Sequence, residues 1–102
     1  MGQVMVRYKV KPDRVAENEE LVRAVYDELH RTQPEGIRYT TFRLQDGVSF
    51  VHVAIEDEKL PGLPQVAAFQ EFTREIADRC DEQPVVTVLH QIGSFGFDSR
   101  RA

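Results

Sequence analysis

The sequence predicts an α+β domain with two helices on one face of a four-stranded antiparallel sheet. Three observations lead there. The hydrophobic patterns follow the order strand–helix–strand–strand–helix–strand across nearly all 102 residues. An Asp46-Gly47 pair separates the second and third strand patterns and is a strong short-range hairpin signal. Those two strands look apolar on both faces, so the sheet needs a second cover that the chain's own helices do not supply.

The elements follow in order. From Val4 to Val10 the chain alternates, with Val4, Val6, Tyr8 and Val10 on one face and Met5, Arg7 and Lys9 on the other. Period two with β-branched residues predicts a strand. Pro12-Asp13 ends it and opens a helix, with proline suited to the first turn and aspartate placed to cap free amides. Val15, Asn18, Leu21, Val22, Val25, Tyr26 and Leu29 then recur at steps of three and four and form one helical stripe. Acidic residues lie at its start, and His30 and Arg31 at its end, as the helix dipole favours. Pro34-Glu35-Gly36 stops it.

Residues 37–44 and 48–55 are the next two strands. With Asp46-Gly47 at the centre of the turn, both at positive φ, Arg43 falls opposite Phe50, Thr41 opposite His52 and Tyr39 opposite Ala54. The alternate face pairs Leu44 with Ser49, Phe42 with Val51 and Thr40 with Val53. That second face is the more apolar, so it is expected to meet the helices. Pro64 opens the second helix, whose stripe is Val66, Phe69, Phe72, Ile76 and Cys80, and residues 81–84 break it. Residues 85–92 form the last strand, and a polar tail expected to fray follows.

The chain is read as one domain, 1–102, with its core at about 4–95. The net charge is −4 and no basic stripe is present, which argues against nucleic acid; Arg100-Arg101 is too short to make one. A lone Cys80 makes no intrachain disulfide, and no Cys/His spacing suggests a metal site. The N-terminus resembles neither a signal peptide nor a membrane span, so a cytoplasmic protein is expected.

The β-α-β-β-α-β order is the ferredoxin-like split βαβ plan, with expected strand order 4-1-3-2 and both helices on one face. The other face is expected to expose Tyr39, Phe50, Ala54 and Met5, and so to pair two copies into a homodimer around a cavity. On residues 4–12 running into an acidic helix, on the strand Phe50-Val51-His52-Val53-Ala54-Ile55, and on Leu60-Pro61-Gly62-Leu63-Pro64 before Ala67-Ala68-Phe69-Gln70-Glu71-Phe72, the chain resembles the dimeric α/β-barrel superfamily. Within it the likeness is to small proteins of the antibiotic-biosynthesis-monooxygenase type. The resemblance implies that two open sheets face each other across a two-fold axis. It also implies one of several activities found on that fold: cofactor-independent oxygenation, haem degradation or isomerisation.

His52, mid-strand on the expected cavity face, is the candidate catalytic base. It would take a phenolic proton and leave an electron-rich anion able to react with oxygen without metal or flavin. The structural alternative is a cross-hairpin hydrogen bond to Thr41. Arg7 and Arg43 are candidates to hold a substrate oxygen, or else to form salt bridges. Tyr39, Thr41 and Phe50 complete the expected substrate-binding set. His90 has no assignable face, His30 reads as a helix-end residue, and Cys80 as a small core residue. The expected function is binding a small aromatic or polyketide-like molecule, and oxidising it, with no cofactor. A non-catalytic ligand-binding or stress-related protein is the alternative, and a haem-binding variant the third reading.

Overall fold

The computed structural model describes residues 2–97. Arg100, Arg101 and the end of the tail lie outside the described residues. The elements are β1 (Gly2–Val10), a 3-10 turn (Pro12–Arg14), α1 (Val15–Thr32), β2 (Ile37–Arg43), β3 (Ser49–Glu56), a second 3-10 turn (Leu63–Gln65), α2 (Ala67–Arg74), α3 (Ile76–Arg79) and β4 (Cys80–Val88). The sheet order is β2-β3-β1-β4, with every neighbouring pair antiparallel. This is the expected 4-1-3-2 order, and the fold is ferredoxin-like α+β with an open sheet.

β1 alternates as its sequence dictates, and Tyr8 and Val10 are buried among the helices. Asp13 does not cap α1, since neither helix start carries a side-chain cap. The chain enters instead through the 3-10 turn, where the Arg14 N–H donates to the Lys11 carbonyl at 2.8 Å. α1 buries Asn18, Val22 and Val25 from the expected stripe and ends at Gln33, whose N–H donates to the Leu29 carbonyl and whose φ of 50° turns the chain out of the helix.

The β2–β3 hairpin has the expected register: Tyr39 opposite Ala54, Thr41 opposite His52, Arg43 opposite Phe50. Its turn is built differently. Only Gly47 takes positive φ, at 80°. The Gly47 N–H donates to the Leu44 carbonyl, so Gln45 and Asp46 are the central residues of the turn. Asp46 keeps an ordinary φ because its carboxylate organises the loop. Its Oδ1 accepts the Val48 and Ser49 N–H groups, and its Oδ2 accepts the Ser49 hydroxyl. These bonds hold the Asp46 carboxyl at about 2, below the usual carboxylate range. A Cβ on Gly47 would meet nothing within 4 Å, so a substitution there costs backbone strain alone. Gly47→Val is expected to destabilise the domain by about 1–2 kcal/mol, read as a lower midpoint in urea unfolding. An unchanged midpoint would place the strained position elsewhere.

The second half departs from expectation in where helix gives way to strand. The helical path breaks at Glu75, resumes for Ile76–Arg79, and passes into β4 already at Cys80 rather than at Val85. Two contacts draw the chain onto β1 early: Cys80 pairs with Val10, and the Arg79 carbonyl accepts the Lys11 N–H at 2.8 Å. The polar residues 81–83 and Pro84 are tolerated because β4 is an edge strand, and irregular register at Lys9 absorbs the mismatch. β4 ends at Val88, and the Leu89 N–H makes a last bond to the Gln3 carbonyl.

The larger correction concerns which face meets the helices. Tyr39, Thr41, Arg43, Phe50, His52 and Ala54 all lie on the helix side, not on the open face. Phe50, His52 and Ala54 are buried there, and Arg43 reaches Glu19 of α1 at 2.7 Å. The open face instead carries Phe42, Val51, Val53 and Ile55, together with Met5, Arg7 and Val85. The expectation ranked the faces by apolar character. That ranking fails because α1 and β1 bring hydrogen-bonding partners for the polar groups of the helix-side face, which makes their burial affordable in energy.

Candidate functional site

A continuous chain of hydrogen bonds runs through the layer between sheet and helices. Arg79, 1% exposed at the end of α3, donates through Nε to Asn18 Oδ1 at 3.1 Å and through Nη2 to the Phe72 carbonyl at 2.8 Å. Asn18, fully buried on α1, donates through Nδ2 to the Tyr8 hydroxyl at 2.9 Å. Tyr8 on β1 meets His52 Nε2 at 2.8 Å. On the far side of the ring, His52 Nδ1 lies 2.5 Å from the Tyr39 hydroxyl and 3.2 Å from Thr41 Oγ1, and Thr41 meets the Tyr26 hydroxyl at 2.7 Å. Each of these side-chain links joins two different elements, so the fold itself assembles the chain.

Aromatic rings sheathe it. Phe50 stacks on Tyr8 at 5.6 Å, Tyr26 stacks on Tyr39 at 5.2 Å, and Phe72 packs against both Tyr8 and His52. The Arg79 guanidinium sits 5.3 Å from the centre of the Phe72 ring. This low-dielectric setting penalises every charged form. Burial pushes His52 down to about 4, so its imidazole is neutral near pH 7. Burial also drives the Tyr8 and Tyr39 phenols well above their ordinary range, so both stay protonated.

The chain meets a groove of about 1100 Å³. Tyr26, Leu29 and His30 of α1, Ile37, Tyr39 and Phe42 of β2, Val53 and Ile55 of β3, and Phe97 of the tail line it. The groove therefore wraps the β2 edge of the sheet. A smaller cleft of about 340 Å³ lies at the other end of the chain, lined by Arg79 with Glu17, Glu20, Glu71, Arg74 and Glu75; of these, Glu17 pairs with Arg14 and Glu71 with Arg74.

Of the expected residues, the structure brings His52, Tyr39 and Thr41 into direct contact and places Phe50 beside them as packing against Tyr8. Only Tyr39 of that set lines the groove; His52 stands behind it. Arg43 is held at the surface by Glu19, and Arg7 is exposed on the opposite face of the sheet. Neither joins the chain. Sequence reasoning missed Tyr8, Tyr26, Asn18 and Arg79. One signal was available: Asn18 is the one polar position in an otherwise apolar helical stripe. Among the described residues, no group of three His, Cys, Asp or Glu stands together as a metal set, and no helix is long and apolar enough to cross a membrane.

No family model matches the sequence, and no curated protein does. Solved structures do match its fold. An antibiotic biosynthesis monooxygenase superposes with TM-score 0.67 at 18% identity, over 91% of this chain and 100% of its own. Protein PA3566 from Pseudomonas aeruginosa gives 0.71 at 16%, over 89% and 93%. SnoaB, a cofactor-independent oxygenase from Streptomyces nogalater, gives 0.65 at 17%, over 92% and 95%. The chain has the fold of the antibiotic-biosynthesis-monooxygenase structures along nearly its whole length.

Proposed function

We propose that this protein binds a small aromatic or polyketide-like molecule in the groove at the β2 edge and oxidises it with dioxygen, without a cofactor. The observation that carries the reading is the junction at Tyr39, where an aromatic-walled groove meets a buried neutral imidazole. A phenolic substrate that has released its proton to solvent and is held there as its anion is electron-rich enough to pass electrons to dioxygen. In the overall conversion a ring CH₂ becomes C=O; one oxygen atom is retained and the other leaves as water. The fold-level likeness to SnoaB supports this class of reaction. In this reading His52 acts through Tyr39. A group titrating near 4 is a weak proton acceptor at neutral pH, and its use is to hold and polarise the phenol that touches the substrate. Oxygen uptake with a panel of hydroquinones and anthrone-like phenols tests the reading. Uptake that is lost in Tyr39→Phe supports it. Ligand binding with no uptake would make the protein a carrier instead.

The same reading includes a homodimer. The open face carries an apolar patch of Phe42, Val51, Val53, Ile55 and Val85, with Phe42 56% and Val85 62% exposed. A second copy laid on it would bury that patch and roof the part of the groove lined by Phe42, Val53 and Ile55. Light scattering is expected to give twice the chain mass at micromolar concentration. Val85→Asp, far from the helix-covered core, is expected to give a folded monomer. A monomeric wild type would sink this part.

A further inference from the structure

The hydrogen bonds of the buried chain run in one direction, and that direction decides what the groove can recognise. A guanidinium is donor-only, so Arg79 Nε must donate to Asn18 Oδ1. That fixes the Asn18 amide, whose Nδ2 must then donate to Tyr8. The Tyr8 hydroxyl oxygen is thus an acceptor from Asn18, and its one proton has a single remaining partner, His52 Nε2. Nε2 therefore carries no proton. The imidazole is neutral, so Nδ1 carries it and points it at the Tyr39 oxygen, with Thr41 as a longer second acceptor. The reverse tautomer would bury the Tyr8 proton, in a side chain 2% exposed, with nothing to receive it.

A proton count at the groove end completes the argument. Tyr26, Thr41 and Tyr39 bring three hydroxyl protons. The Tyr26–Thr41 contact uses one, and the Tyr39–His52 contact is already supplied by Nδ1–H. Thr41 also hydrogen-bonds Tyr39, which takes a second proton, so one hydroxyl proton remains without an acceptor among the described residues, on Tyr26 or Tyr39. Tyr26 and Tyr39 are the two phenols that line the groove.

The geometry points to a donor site at the Tyr26–Tyr39 edge that takes an acceptor oxygen, the carbonyl or enolate oxygen of a flat aromatic compound, with its polarity imposed from Arg79 through Asn18, Tyr8 and His52. Each donor in the row is polarised by the one behind it, so a cation at the far end strengthens the last O–H. Arg79 and Asn18 are positioning residues, because neither touches the groove. The inference rests on the groove of the proposed function and names the atom type it holds. It does not require turnover.

Two measurements test it. The first is the His52 tautomer, read from ring ¹⁵N shifts at pH 7. The wild type is expected to show Nδ1–H. Asn18→Asp replaces the donating amide with a carboxylate that accepts from both Arg79 and Tyr8, so the row reverses and Nε2–H is expected. The second is equilibrium dialysis with 2-hydroxy-1,4-naphthoquinone, and with naphthalene as a probe of similar shape without oxygen. Tyr39→Phe and Asn18→Asp are each expected to weaken quinone binding about tenfold while leaving naphthalene binding within about twofold. Nε2–H in the wild type would overturn the direction of the row. Quinone binding unchanged in Tyr39→Phe, or absent from the wild type, would overturn the donor site. Quinone binding that follows this pattern without oxygen uptake on any hydroquinone would defeat the proposed oxidation and leave the donor site standing.

Discussion

Phe72→Ala is expected to remove about 3–5 kcal/mol of stability, the range for emptying a buried aromatic position. Phe72 is 4% exposed, and its ring centre lies 5.3 Å from His52, 6.1 Å from Phe69 and 6.2 Å from Tyr8. The same ring supports the Arg79 guanidinium. Its backbone carbonyl still accepts from Arg79 in the variant, so the bond survives while the cover over the cation is lost. Water admitted at that point would reach Arg79 and Tyr8 together and loosen the row at its source. Phe72→Leu keeps most of the volume and is expected to lose about 1 kcal/mol. Urea unfolding measures both, and a loss below about 1 kcal/mol for the alanine variant would show that the ring does not pack where the structure puts it. A domain of this size holds roughly 5–15 kcal/mol in all, so the alanine variant spends much of its margin.

The hairpin register was legible in the sequence because Asp46-Gly47 marks where the chain reverses, although the turn itself centres on Gln45 and Asp46, and Arg43 still pairs with Phe50 and Thr41 with His52. The covered positions of α1 were legible too, since a 3.6-residue period admits one buried stripe. Facing was not. Period two separates the residues of a strand into two sets and says nothing about which set meets the helices. Phe42, Val51 and Val53 looked the better core, and the choice went instead to the set whose polar atoms find partners. Those partners lie far along the chain: Tyr8 is 44 residues from His52, and Arg79 is 61 from Asn18. No local spacing reports such a match. The early start of β4 was hidden for a related reason. Residues 81–83 carry the composition of a loop, and only their place at the sheet's edge, against Lys9 and Val10, makes them a strand.

The open face and the buried row bear on function in complementary ways. In the proposed dimer a second copy would bury the Phe42 and Val85 patch and also close the groove over its Phe42 wall. The row supplies the opposite quality, a directed polar contact at one point of an otherwise apolar groove. On the proposed reading the two together would exclude water and orient an oxygen of the substrate, which is what a reaction driven by substrate electrons needs from its protein.

Stability should fall by about 3 kcal/mol as the pH drops from 6.5 to about 4, and His52 should be the cause. In the unfolded chain its imidazole titrates at the model value of 6.5, while in the fold burial lowers it to about 4. Between those values the unfolded state binds a proton that the folded state refuses, so protons favour unfolding. The contribution is fully present above pH 6.5 and is lost as the pH falls toward 4. Among the described residues no carboxylate hydrogen-bonds the ring; its partners are the Tyr8, Tyr39 and Thr41 hydroxyls, which stay neutral across the window. Asp46 contributes in the same direction but lower down, since its folded value near 2 against 3.8 unfolded places its loss below about pH 4. The two are therefore separable in one titration of unfolding free energy. His52→Gln, which keeps an amide able to donate and accept without titrating, is expected to flatten the upper window and leave the lower one. A wild-type protein equally stable at pH 7 and pH 4.5 would mean that the imidazole can be charged where it sits. The row would then lose the neutral link on which its direction depends.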